Sequence, residues 1–254
     1  MLLPRAIVAA LIGCFCFAST ATAADRTKLN ISFAPDRAGA RTTIDLALRV
    51  IGPHGTPPEP VTSFDLRLPA NMGLGSTSLG EANCEPASLF SGGLTGCSPN
   101  ARLGFGTATA VVPVGAQTIT EHATLDALLG QPGEDRIEVL FYIQAGDPVF
   151  AQLVLPSVVE EAAPPYGEQL ATSVPLVEAW PEGPDLALET FVSSIGPRGL
   201  TYYRHINGRT IAHKPRGFRI PQSCPAGGYP FEVELTFADG TRSVADHRVP
   251  CPPR

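Results

Sequence analysis

Proline and glycine punctuate this chain so often that little but short extended segments fits between them. Its 254 residues include 26 prolines and 25 glycines. Proline lacks a backbone donor and clashes with the preceding helical turn, so a long helix cannot cross these positions. The runs between the breaks are rich in β-branched residues and alternate with period two, the pattern of a sandwich or barrel. In residues 42–50 (TTIDLALRV), Ile44, Leu46, Leu48 and Val50 share one face, and in 61–68 Phe64, Leu66 and Leu68 alternate with Asp65 and Arg67. Further strands are expected at 29–33, 105–114, 118–125, 136–144, 149–155, 170–177 and 186–192. Residues 136–144 and 149–155 should pair as a hairpin. Their nearly continuous apolar character places them centrally. Residues 127–129 read equally well as a strand end or a helical turn. Pro86 can open one short helix that ends at Gly92-Gly93. Residues 156–167 are read as a long surface loop, with a seam between subdomains as the alternative.

Two turns carry enough information to set a register. Asn207-Gly208 is a strong type I′ signal. It puts Tyr202, Arg204, Ile206, Arg209, Ile211 and His213 on one face of a ribbon, so that His205 and His213 point opposite ways. In FEVELTFADGTRSVADHRV (231–249), a two-residue Asp-Gly turn would set Arg242, Asp246 and Arg248 beside Phe231, Val233, Leu235 and Phe237. A three-residue Ala-Asp-Gly loop with Gly240 in the left-handed region instead brings Ala245, His247 and Val249 to the apolar face. A slip of one residue inverts every side chain, so the hydrophobic pattern selects the longer loop.

The first residues, MLLPRAIVAALIGCFCFASTATAADR, have the form of a secretory signal peptide: Arg5, an apolar run, and Ala21-Thr22-Ala23 before a cut ahead of Ala24. The run is shorter than the roughly 20 apolar residues that span a bilayer. Leu11-Ile12-Gly13-Cys14 also fits a lipobox, so the alternative to free secretion is a lipoprotein anchored through Cys14. Past the leader no run escapes interruption by proline, glycine or charge, and no transmembrane segment is expected.

Four cysteines follow the leader: Cys84, Cys97, Cys224 and Cys251. An even number in an exported chain reads as disulfides, and four allow three connectivities. Nearest-neighbour pairing, Cys84–Cys97 and Cys224–Cys251, is expected. No C-x2-C pair is present, which argues against zinc. The formal net charge of −6, with no basic stripe, argues against nucleic acid as a partner.

FRIPQSCPAGGYPFEVELTFADGTRSVADHRVPCP (218–252) resembles the C-terminal signature of a group of secreted, uncharacterised actinobacterial β-sandwich proteins: Cys-Pro, an LTFADG hairpin, then Pro-Cys-Pro. Residues 64–106, with LPA, two cysteines and LGFGTA, resemble the N-terminal part of the same proteins, and PLVEAWPEGPDLALETF fits between. One departure is Cys97-Ser98-Pro99 where Cys-Pro-Ser is usual. The resemblance implies an all-β fold and export, and carries no catalytic residue with it.

The common catalytic motifs are missing: no G-x-S-x-G, H-E-x-x-H, P-loop, EF-hand loop or G-x-G-x-x-G opening a helix. Gly104-Phe105-Gly106 reads as a bulge or tight turn. His54 is expected in solvent, His122 exposed on a strand, His247 at the edge of the core, and the Glu160-Glu161 carboxylates solvated. No catalytic residue, cofactor or metal is therefore assigned.

The expected molecule is an all-β, immunoglobulin-like sandwich with two disulfides (residues 24–254). Its expected role is non-catalytic, structural, adhesive or binding, at the cell envelope or beyond it, with a protein or glycan partner. One alternative is a glycan-binding module, for which Trp180 and whichever of Tyr202 and Tyr203 faces outward would supply the stacking surface. Another is a secreted hydrolase whose Ser–His–acid triad assembles from distant residues.

Overall fold

The computed structural model describes residues 24–133, 136–146 and 150–252. The leader, Cys14 within it, and most of the join after residue 145 lie outside the described residues. The strands are β1 (Arg26–Ala34), β2 (Arg41–Ile51), β3 (Val61–Pro69), β4 (Arg102–Val114), β5 (Gln117–Leu129), β6 (Ile137–Ala145) and β7 (Ala151–Glu161). They continue with β8 (Tyr166–Ser173), β9 (Ala187–Ile195), β10 (Tyr202–Ile206), β11 (Arg209–His213), β12 (Phe218–Arg219), β13 (Tyr229–Phe237) and β14 (Arg242–Val249). One short helix, α1 (Pro86–Gly92), lies between β3 and β4, with Pro86 in its first turn.

Eleven strands follow one antiparallel path, β1-β2-β9-β4-β5-β6-β7-β8-β3-β13-β14, with β12 paired to β2 and β10–β11 forming a separate ribbon. The path curls until β1 lies against β14, where the Thr27 amide donates to Ser243 Oγ at 3.1 Å. Closure is visible inside as well. Phe33 of β1 stacks edge-on against Tyr229 and Phe231 of β13, and Phe64 of β3 meets Phe191 of β9 at 5.8 Å. The molecule is thus all-β, a sandwich-like or barrel-like closure of one sheet. An immunoglobulin domain divides about seven to nine strands between two sheets, whereas here eleven are hydrogen-bonded in one continuous order.

Alternation builds the core as the sequence requires. Ile44, Leu46, Leu48 and Val50 of β2, and Phe231, Val233, Leu235 and Phe237 of β13, all face inward and are buried. Both hairpin registers follow the turn chemistry. Ile206 pairs with Arg209 across Asn207-Gly208. Phe231 pairs with His247 and Val233 with Ala245 around an Ala238-Asp239-Gly240 loop, in which Gly240 has φ +80°. On the outer face of that region, Arg67 pairs with Glu232 and, at 3.1 Å, with Glu234. The network ties β3 to β13 and holds the guanidinium above its usual pKa despite partial burial.

Residues 156–167 are not a long surface loop. β7 runs through to Glu161, turns, and returns as β8, with Val159 opposite Leu170. The sheet is continuous across this stretch. Pro156 does not break the strand because the β7–β8 ladder begins one residue later, at Ser157, so its missing donor is not required there. Residues 127–129 are the end of β5.

The segment between β3 and β4 packs on the outside of the sheet. Cys84, Leu89 and Ala101 bury against Leu128, Leu140 and Tyr142, the outward residues of β5 and β6. Those strands are apolar on both faces because each face has its own core. Cys84 is joined to Cys97, and Cys224 to Cys251.

Candidate functional site

Small inward side chains leave one end of the sheet incompletely filled. Residues alternating along β4 and β5 turn Ala108, Ala110 and Ala123 toward the interior, and Ala145 of β6 and Ala151 of β7 join them. The result is a cleft of about 150 Å³. Larger walls come from Leu153, Val174, Leu188 and Phe191. The cleft reaches the surface at the 174–186 connection, where lining residue Leu176 is 50% exposed. Phe150, one residue before lining residue Ala151, is 81% exposed.

Deeper in, three rings close the cleft. Phe191 meets Phe64 at 5.8 Å and stands edge-on to Phe141 at 6.5 Å. Beyond them lies a second apolar cavity of about 80 Å³, walled by Leu46, Leu68, Val139, Leu170 and Ile195 among others. Phe141 lines both spaces. At the level of the rings, Ser157 and Thr172 hydroxyls bond each other at 2.8 Å, so neither calls for a ligand atom.

Natural interiors hold few voids larger than a water molecule. The cleft, open to the surface at Leu176, is larger than such a void. Its lining is almost wholly apolar. Glu121, 2% exposed, is the only ionisable residue on its wall among the described residues, and that side chain is itself engaged by other groups.

The residues singled out for stacking do not converge. Tyr202 is fully buried; its hydroxyl donates to the Arg102 carbonyl and accepts from the Gly80 amide. Burial is the main reason its phenol is pushed above the usual tyrosine pKa. Tyr203 is 45% exposed and Trp180 43% exposed. Tyr203 is bonded through its amide to Asn100, just before β4 begins. Trp180 sits in the turn preceding Ala187, which pairs with Val111 near the far end of β4. The β4 positions that these contacts mark, its start at Arg102 and Val111, are about 30 Å apart along the strand. The indole also lies over Gly183, where a Cβ would approach it to 2.7 Å.

The histidines are dispersed too. His213 Nε2 lies 3.1 Å from Glu81, and His205 Nδ1 lies 3.1 Å from Thr210. Neither is hydrogen-bonded to a serine among the described residues. His122 is exposed, and so are Glu160 and Glu161. No group of three or more His, Cys, Asp or Glu residues converges as a metal site would among the described residues. None of their helices is long and apolar enough to cross a membrane.

Sequence reasoning missed the cleft because its lining is ordinary apolar residues. The one available signal was GTATA (106–110), whose alternate positions carry only Gly and Ala on an inward face. Fold and site together define an all-β, disulfide-held scaffold with an apolar cleft at one end of its sheet. No protein-family model, curated protein or solved structure matches this chain.

Proposed function

We propose that this chain is an exported, non-catalytic binding protein of the cell envelope or extracellular space, and that its ligand is an apolar molecule held in the cleft. The open, alanine-lined cleft carries the reading. It offers dry contact surface that reaches the exterior and few groups able to do chemistry. The leader-like first residues and two disulfides support export into an oxidising compartment. The glycan reading needs Trp180 and a tyrosine on one surface, and no observation favours it. A hydrolase needs a histidine between a serine and a carboxylate, and the ring of His213 meets the carboxylate of Glu81 and the edge of the Tyr202 ring, with no serine bonded to it among the described residues.

The test is a titration of the oxidised protein with N-phenyl-1-naphthylamine, a neutral dye that brightens in apolar surroundings. Saturable one-to-one binding is expected. Ala123→Phe, which fills the cleft, should abolish it, while Val244→Ser on the exposed face should leave it intact. A thermal melt of both variants guards against misfolding. Dye binding that never saturates, or that survives Ala123→Phe in a folded protein, would overturn the reading.

A further inference from the structure

The two interior spaces lie in series along one strand. Val139 lines the deep cavity, Phe141 both, and Ile143 and Ala145 the outer cleft. All four are inward positions of β6, so the path from Val139 to Ala145 runs about 20 Å at about 3.3 Å per residue. It is long but thin. Cavities of about 150 and 80 Å³ fall well short of the roughly 300–1,000 Å³ that a drug-sized ligand occupies. Phe141 is the wall they share, with unfilled space on each side of its ring.

We infer that the cleft and the deep cavity are one channel divided by the Phe141 ring, and that its occupant is a single unbranched alkyl chain whose head group stays at the Leu176 mouth. This rests on the reading that the cleft takes an apolar ligand and names the class of that ligand. A fused ring system needs more room in one place than cavities of about 150 and 80 Å³ give the channel. A straight chain fills it once Phe141 turns aside. Among the described residues, no Lys, Arg or His lines either space; the ionisable residues there are the acids Glu121 and Glu168. Glu168 already accepts from the Leu74 amide at 2.9 Å. No described wall residue carries a positive charge to neutralise an anionic head, so a neutral alcohol or ester is favoured over a free carboxylate. Exposed Leu176 and Phe150 give the first carbons outside the cleft an apolar rim.

The experiment is displacement of N-phenyl-1-naphthylamine by hexanol, octanol, decanol and dodecanol. Each added methylene should tighten binding about fourfold, the transfer value for one buried CH₂, until the channel is full. Phe141→Trp should stop this gain at the shorter alcohols. Ala127→Leu, which fills only the deep cavity, should do the same and serves if the tryptophan variant folds poorly. Methyl dodecanoate should match dodecanol, cyclododecanol should lose the chain-length gain, and dodecanoate should bind at least about tenfold more weakly.

A chain-length series unaltered in both variants would overturn the channel. Dodecanoate binding as tightly as the alcohol would overturn the head-group assignment and point to free fatty acids as the source. Failure of the dye itself to bind would instead strike the reading of the cleft as a ligand site.

Discussion

Asp126 shows how one side chain couples stability to pH. It is buried, and burial raises its carboxyl pKa while the Arg102 guanidinium, its ion-pair partner, pulls it back down. A raised folded-state value means that the folded chain holds the proton more tightly than the unfolded one. The contribution to stability is therefore greatest in acid and declines as pH climbs through the raised value. Arg102→Ala should cost about 1–3 kcal/mol near neutral pH by leaving the carboxylate buried and alone. The deficit should shrink below the ordinary aspartate range, where both states are protonated. Urea melts at several pH values would show this, and a pH-independent deficit would contradict it. Gly106 makes a steric counterpart. A Cβ there would stand 2.1 Å from the Val192 carbonyl oxygen on β9, so Gly106→Ala should destabilise by about 1–3 kcal/mol in the same assay.

These residue-scale features were unequally legible. Alternation announced the inward faces of β2 and β13. Glycines 104 and 106 were visible as a bulge or tight turn, and the register does shift between Arg102 and Gly104. What sequence could not reveal is that β9, some 80 residues later, is the strand lying against them. Tyr202 and Tyr203 were separable in principle, since adjacent strand residues face opposite ways. Which of them is buried depends on the β4 backbone that receives the Tyr202 hydroxyl.

At the scale of elements, the stapled segment and the β10–β11 ribbon are the appended parts. Cys84–Cys97 holds α1 against the outer face of β5–β7. Replacing both cysteines by serine should lower stability by about 3 kcal/mol on the chain-entropy relation, and the Cys224–Cys251 pair by about 3.6; denaturant midpoints of the two double variants would check the order.

The ribbon is tethered by Glu81, which accepts from Arg204 at 2.6 Å and meets His213 at 3.1 Å. The Arg204 hydrogen bond is the main reason that the Glu81 carboxyl sits below its usual pKa. The tether is therefore fully present above the ordinary glutamate range and lost only as pH falls through the depressed value. Glu81→Gln should speed amide exchange across residues 202–213 at neutral pH, and wild type should approach the variant only in strong acid. Equal exchange at neutral pH would show that the ion pairs hold nothing. Both hairpin registers could be read in advance because turn chemistry is local, as could the cysteine pairing. The end of β7 was misread as a loop because Pro156, Pro164 and Pro165 look like breakers until the edges of the ladder are known.

At the scale of the molecule, the order of strands was the least legible property. β9 inserts between β2 and β4, and β3 between β8 and β13. Such pairings join residues far apart in sequence, and no local pattern encodes them. The cleft inherits that opacity, since its walls come from β3 through β9 and only closure brings them together. An all-β sheet with two disulfides could be inferred from composition and spacing; an apolar channel inside it could not.

The most direct test of that interior is a methyl-resolved NMR titration of the oxidised protein with octanol. The alanine methyls of 108, 110 and 123 and the methyls of Leu153 and Leu188 should shift together and saturate, while those of Leu89 and Leu140 under α1 stay fixed. Shifts confined to exposed methyls such as Val192 and Val244, with the alanines unmoved, would contradict the account.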